Sequence, residues 1–227
     1  MKQLAKNGFD TTRRLIENPR NIFKTLFNQR TETEKFKILT VGYGNMAKPF
    51  LAPLLKDEDN EIHVVTPNST HSHPVHHYKN LSEVDTTFDV VLFSCKPFHI
   101  EEVMKDFHPN LYNKDTLFIS ILAATPREYF YKKLGTDAKV AVVMPNLPVK
   151  INMGITSVLY EERIPILDKM GETIYVKSMD DLNKLTALFG SGTGFVYHIL
   201  DGYLKAAEQL DVKLNKNLED KDLDYKY

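Results

Sequence analysis

Three groups of residues in this chain have types and spacings that could do chemistry. The first is Gly42-Tyr43-Gly44-Asn45-Met46-Ala47, within the stretch ILTVGYGNMAKPF. Gly42 permits a tight turn, Gly44 lets the backbone approach a pyrophosphate, and Ala47 is small enough for close helix–strand packing. An apolar, β-branched run precedes the motif and a helix-like segment follows it. The pyrophosphate would then sit on helix N-terminal amides, where the dipole favours negative charge. This is the chemistry of a dinucleotide site; the competing reading is an ordinary tight strand-to-helix turn.

The second group closes the next strand-like run, EIHVVTPNSTHS, where Thr66, Asn68, Ser69 and Thr70 stand. Sheets that bind NAD usually place a carboxylate here to bond the ribose 2′-hydroxyl. Hydroxyls and an amide in its place would accept a 2′-phosphate without repulsion, so NADPH is favoured over NADH. The third group is made of the strand ends around Lys96-Pro97 and around Pro145, Asn146 and Pro148, which should line the nicotinamide side of the same sheet edge. A proline-terminated loop is the plain alternative for each. A histidine run, HSHPVHH, adds His71, His73, His76 and His77. Neutral imidazoles suit zinc or nickel. With no helical spacing and no neighbouring carboxylate or thiolate, however, the run reads as a solvated loop and no metal is expected. If protonated, these histidines could assist a 2′-phosphate.

The elements that must position these residues alternate regularly. KFKILTVGYG, EIHVVTP, DVVLFSCKP, TLFISILA and KVAVVMPNLP read as strands. NMAKPFLAPLL, HIEEVMKDF and PREYFYKKL read as helices between them. Near-continuous apolar strands alternating with helices indicate a parallel sheet covered on both faces, a doubly wound α/β fold. After GITSVLY come a short helix, RIPILDKMG, a strand, ETIYVKS, and a long helical stretch from MDDLNKL to AEQLDV with glycines near its middle. The expected division is a basic amphipathic helical extension over 1–36, a nucleotide-binding domain over 37–160, and a helical segment with a polar tail over 161–227. The extension has nine Lys or Arg against four acids over residues 1–37, with Leu15, Ile16, Ile22, Phe23, Leu26 and Phe27 at helical spacings. Packing on its own domain is the favoured reading, and contact with a membrane surface or a partner the lesser one. Asn18-Pro19 should divide it into two helices.

Bulk properties narrow the function classes. The 227 residues carry a net charge of −1, which argues against a dedicated nucleic-acid surface. Cys95 is the only cysteine, so no internal disulfide can form and the cytoplasm is the expected compartment. No apolar run approaches the length of a membrane span.

The sequence resembles the pyrroline-5-carboxylate reductases. The matching pieces, in order, are VGYGNMAKP, VVTPNS, VLFSCKP, ISILAA, VMPNLPVKINMGITSV and GSGTGFVYHILDG. The resemblance implies a Rossmann-type domain followed by a helical one, and hydride transfer from NAD(P)H to the imine carbon of a small-molecule substrate, 1-pyrroline-5-carboxylate, giving L-proline. It would place Gly42, Gly44, Asn45 and Met46 at the pyrophosphate. Thr66, Asn68 and Ser69 would lie at the adenosine ribose or its 2′-phosphate, Lys96 and Pro97 at the nicotinamide ribose, and Asn146 beside the nicotinamide. Gly190, Ser191, Gly192 and Thr193 would meet the substrate carboxylate, and a glycine-rich helix start is also an anion site on physical grounds. Catalysis would be mainly positioning, by Asn146 and Ser191, with no residue assigned as acid or base.

The chain departs from the family pattern at Leu147, Phe189, Thr193-Gly194-Phe195 and Asp201. It also ends in a charged tail where the family continues with helices carrying a Gly-Gly-Thr-Thr segment. The apolar residues Phe195, Ile199, Leu200, Leu204 and Leu210 must then be covered by the nucleotide-binding domain, by a second copy in a homodimer, or by the N-terminal helices. Two functions stay open: an NADPH-dependent reductase with a rebuilt substrate site, and a reductase-like protein that binds nucleotide or a protein partner without turnover.

Overall fold

The structure is a computed structural model that describes residues 35–67 and 75–210. Residues 1–34 of the basic extension, Asn68, Ser69, Thr70, His71 and His73, and the polar tail from residue 211 lie outside the described residues.

Eight strands form one sheet in the order β3-β2-β1-β4-β5-β6-β7-β8. They are β1 (Phe36–Val41), β2 (Asn60–Val65), β3 (His76–Tyr78), β4 (Val90–Phe93), β5 (Leu117–Ser120), β6 (Lys139–Met144), β7 (Gly154–Leu159) and β8 (Gly171–Val176). All neighbours are parallel except β6 and β7. The sheet therefore runs past residue 160, through Val176.

Period-two alternation sends each strand's apolar residues to opposite faces. Ile38, Ile62, Val64, Val90, Leu92 and Ile119 pack with Phe50, Leu51 and Leu54, on and just after the short helix α1 (Ala47–Leu51). Leu39, Val41, Val91, Phe93 and Phe118 face the other way, toward Ile100 of α2 (Ile100–Asp106) and Phe130 of α3 (Arg127–Leu134). Both faces are covered, as a doubly wound sheet requires. The centre of the second face is aromatic: Phe93 lies 5.2 Å from Phe130 and 5.4 Å from Phe107, centroid to centroid.

Helix α1 is shorter than NMAKPFLAPLL suggests. Pro49 is tolerated because it sits in the first turn, where amides have no intrahelical acceptor. Pro53 cannot donate and restricts the residue before it, so regular helix stops at Leu51 and continues as turns. The segment RIPILDKMG is a 3₁₀ turn over Pro165–Met170. His76 and His77, read from the sequence as part of a loop, form β3 because their backbones pair with β2.

Beyond β8, helix α4 (Met179–Leu185) starts at Ser178, whose side chain accepts from the Asp181 amide. It runs without a break through a π turn (Thr186–Ser191) into α5 (Gly192–Gln209). No residue of α5 is buried. Phe195 is 69% exposed and Tyr203 71%, so among the described residues the nucleotide-binding domain does not cover this apolar face.

Candidate cofactor site

Strand order reverses between β1 and β4, which lie side by side while the chain between them visits β2 and β3. Ligands of open α/β sheets bind at such a switch point, beyond the carboxyl ends of the strands. A cavity of about 790 Å³ lies there, lined by Gly42 to Met46 from the β1 turn and by Ser94, Cys95 and Lys96 after β4. Thr66 and Pro67 line it after β2, Lys79 and Asn80 after β3, and His99, Glu102 and Asp106 from the α2 side.

The turn after β1 is held from three strands. The Gly42 amide donates to the Val65 carbonyl of β2 at 2.8 Å. The hydroxyls of Thr40 and Ser94 lie 3.0 Å apart, and each reaches the Gly42 carbonyl oxygen, at 3.1 and 2.9 Å. Thr40 is fully buried, so these bonds also satisfy a hydroxyl with no access to water. Gly42 has φ +97°, which side chains disfavour, and a Cβ there would lie 2.6 Å from the Cys95 amide nitrogen. A Cβ on Gly44 would meet no protein atom within 4 Å. The first glycine is thus fixed by the protein's own backbone, whereas the second faces space that a ligand can use. The residues present fit a dinucleotide.

Charge in the cavity is mixed. Lys48, Lys79 and Lys96 stand against Glu102 and Asp106. Lys48 also lies 5.7 Å from the centre of the Tyr43 ring. Burial pushes the Cys95 thiol up to about 11, so the residue is a neutral wall and not a nucleophile.

Of the residues expected at the cofactor, Gly42, Gly44, Asn45, Met46, Thr66 and Lys96 come together around this cavity. Pro97 opens the 3₁₀ turn immediately behind Lys96, and Asn68 and Ser69 lie outside the described residues. Asn146 is elsewhere: it is 7% exposed and acts as a clamp. Its Oδ1 accepts from the Ile155 amide at 2.9 Å, and its Nδ2 donates to the Phe189 carbonyl and the Thr193 hydroxyl, both at 3.3 Å. It ties the end of β6 to β7 and to the π turn.

The glycine-rich helix start expected at Gly190–Thr193 is not a start. The chain is already helical when it reaches Gly190, because α4 feeds directly into the π turn. Thr193 donates its hydroxyl to the Phe189 carbonyl one turn back, and Ser191 is exposed. A π turn at this place is compatible with a functional role, since such turns occur often at sites, but it is not the anion cradle of a free N-terminus.

Lys79 and Asn80 are additions that the sequence pattern does not supply. They reach the cavity because β3 pairs in parallel with β2 and ends beside Thr66, whose amide donates to the Tyr78 carbonyl at 3.0 Å. The available signal is a basic residue directly after a third short strand, where a 2′-phosphate would pass.

Sheet order, switch-point cavity and glycine turn define an NAD(P)-dependent oxidoreductase of the Rossmann type. Comparison with known proteins agrees and narrows the class. The family model described as NADP oxidoreductase, coenzyme F420-dependent, matches residues 37–124. The pyrroline-5-carboxylate reductase of Staphylococcus haemolyticus is 25% identical over 196 residues, covering 78% of this chain and 72% of that one. A solved pyrroline-5-carboxylate reductase from Coxiella burnetii superposes with a TM-score of 0.62 at 26% identity, over 78% of this chain and 72% of the other. In fold, the chain also matches the Plasmodium falciparum pyrroline carboxylate reductase solved with NADP bound, with a TM-score of 0.68 at 19% identity, over 82% and 73% of the two chains. In sequence and in fold the chain is similar to the pyrroline-5-carboxylate reductases.

Proposed function

We propose that the protein reduces 1-pyrroline-5-carboxylate to L-proline with NADPH. The observation that carries this reading is the cavity at the β1/β4 switch point, walled by the Gly42–Met46 turn, Thr66, Lys79 and Lys96 with no carboxylate at the end of β2. When bound, NADPH would supply the hydride for the imine carbon; the imine nitrogen takes a proton, and the C=N bond becomes the C–N bond of proline.

The chain's own residues bind and orient. The Gly42–Met46 turn would hold the pyrophosphate. Lys79, with Thr66, Asn68 and Ser69, would take the 2′-phosphate side, which favours NADPH over NADH. Lys96 and Pro97 would border the nicotinamide ribose. Asn146 acts as a positioning residue through the π turn that carries Gly190 and Ser191 and the start of α5 that carries Gly192 and Thr193, and Ser191 would reach the substrate carboxylate. A protonated imine is already electrophilic, so holding it against the hydride donor is the main demand. In this reading residues 37–160 hold the cofactor and residues 161–227 supply the substrate side. The exposed apolar face of α5 is the surface for pairing with a second copy, and the cytoplasm is the compartment. Among the described residues, no helix is long and apolar enough to cross a membrane.

A second reading has its own observation. Because Gly190–Thr193 lie inside a continuous helix, they offer no free helix N-terminus to a substrate carboxylate, which favours a protein that binds NADPH without turnover. Steady-state NADPH consumption with 1-pyrroline-5-carboxylate, with L-proline identified as product, separates the two. Saturable consumption supports the reductase, and NADPH binding without product supports the second reading.

A further inference from the structure

Glu61 and His63 alternate on β2 and so share one face of the sheet, and the β2–β3 register sets His76 directly opposite His63. Three ligand-bearing side chains from two strands therefore converge at the sheet edge. One ligand atom from each of Glu61, His63 and His76 lies within 4.8 Å of the other two. The carboxylate oxygen is 2.7 Å from His63 Nε2 and 3.8 Å from His76 Nε2. The two imidazoles stack with centroids 4.4 Å apart.

The support around this cluster is that of a built site. The other ring nitrogen of His63, Nδ1, is 3.0 Å from the Tyr78 hydroxyl, and Phe88 packs edge-on at 4.9 Å. Nε2 donates to the Glu61 carboxylate at 2.7 Å while no ion is bound; with Nδ1–H turned to the Tyr78 oxygen instead, Nε2 becomes the ligand atom and its proton is displaced by the ion. The His63 side chain is 5% exposed and held in place, whereas that of His76 is 59% exposed and can swing. Solvent reaches the His76 side, so an ion has an entry path and water can complete its coordination. Bonds of roughly 2.0–2.2 Å in a tetrahedron set ligand atoms about 3.4 Å apart. The observed separations fall on both sides of that value, and a small rotation of His76 with a small retreat of Glu61 reaches it.

We propose that Glu61, His63 and His76 bind one divalent transition-metal ion of the zinc class. Two imidazole nitrogens with one carboxylate oxygen suit zinc and its neighbours better than magnesium or calcium, which prefer all-oxygen sets. The site is structural: the ion pins the short edge strand β3 to β2. Lys79 and Asn80, which line the cofactor cavity, directly follow Tyr78 at the end of that strand. The proposal stands on this geometry and not on the reductase reading.

The test uses the full-length chain, stripped with chelator and dialysed, titrated with zinc chloride by calorimetry and with cobalt(II) by visible absorption. One ion per chain is expected, with cobalt bands of a low-coordinate site and a rise in melting temperature on adding zinc. His76→Ala changes an exposed side chain and should leave the fold intact while weakening zinc binding by roughly tenfold or more. Glu61→Gln should do the same. His71→Ala/His73→Ala should bind zinc as the unaltered chain does. Absence of zinc binding, unchanged affinity in His76→Ala, or loss of binding only in the His71/His73 variant would each overturn the proposal.

Discussion

Gly42 and Cys95 are in contact through their backbones: a Cβ on Gly42 would lie 2.6 Å from the Cys95 amide nitrogen and 2.8 Å from its Cα. The turn that opens the cofactor cavity and the strand end that closes it are therefore one packed unit. Gly42→Ala would meet this backbone and adopt a φ that alanine disfavours. It should cost at least about 2 kcal/mol of stability and abolish NADPH binding. Gly44→Ala has open space for its methyl group. It should melt like the unaltered chain and lose only NADPH affinity. Paired denaturant melts and NADPH titrations distinguish these outcomes; equal effects of the two variants on stability would contradict the assignment.

Ser94→Ala removes the hydroxyl bonded to the Gly42 carbonyl at 2.9 Å and 3.0 Å from that of Thr40. A loss of about 1 kcal/mol is expected. NADPH affinity should fall modestly, because the turn loses one of its three supports. Urea unfolding followed by titration checks both.

Lys79 approaches the cavity next to Thr66 at the ends of adjacent strands. Lys79→Ala should weaken NADPH by roughly tenfold, the value of a bond to a charged group, and leave NADH affinity nearly unchanged. Parallel titrations with the two nucleotides measure the ratio. Equal weakening of both would move Lys79 away from the 2′-phosphate.

Much of this site was legible because its signals are local. The Gly42-Tyr43-Gly44 turn between an apolar strand and a helix is contained in a dozen residues, and so is the Lys96 strand end. What escaped depends on pairing between distant segments. Lys79 and the Glu61–His63–His76 cluster exist only through the β2–β3 register, which no local pattern specifies. Gly190-Ser191-Gly192 looks like a helix start because glycine usually interrupts helices. The structure carries the helix through it with a π turn, aided by Thr193 and by Asn146 from the loop after β6. Asn146 itself reads as a ligand contact in sequence, since its role as a clamp appears only when Ile155 and Phe189 are brought to it.

Asn146→Ala would leave the Ile155 amide without its side-chain acceptor and the Phe189 carbonyl with only the Thr193 hydroxyl as side-chain donor. Loss of about 2 kcal/mol is expected, with the α4–α5 helix loosened first. Hydrogen exchange should show protection falling in residues 186–193 while β1, β4 and β5 stay protected. Uniform loss across the sheet would contradict the clamp.

Cys95 lies in the cavity wall with its thiol pushed up to about 11 by burial. Raising the pKa of an acid disfavours the reactive thiolate. At pH 8 iodoacetamide should therefore label it roughly a hundredfold more slowly than an ordinary thiol, and the rate should climb until pH passes about 11. NADPH should slow labelling further. Mass spectrometry against time and pH records both, and fast labelling insensitive to NADPH would place the cofactor elsewhere.

The most direct measurement is isotope transfer in a single turnover. NADPH deuterated at the transferable C4 position is mixed with excess enzyme and 1-pyrroline-5-carboxylate, and the product is examined by mass spectrometry and NMR. The reductase reading predicts L-proline carrying one deuterium at C5 and an equal amount of NADP⁺. Bound NADPH that keeps its deuterium, with no proline formed at any substrate concentration, would contradict it.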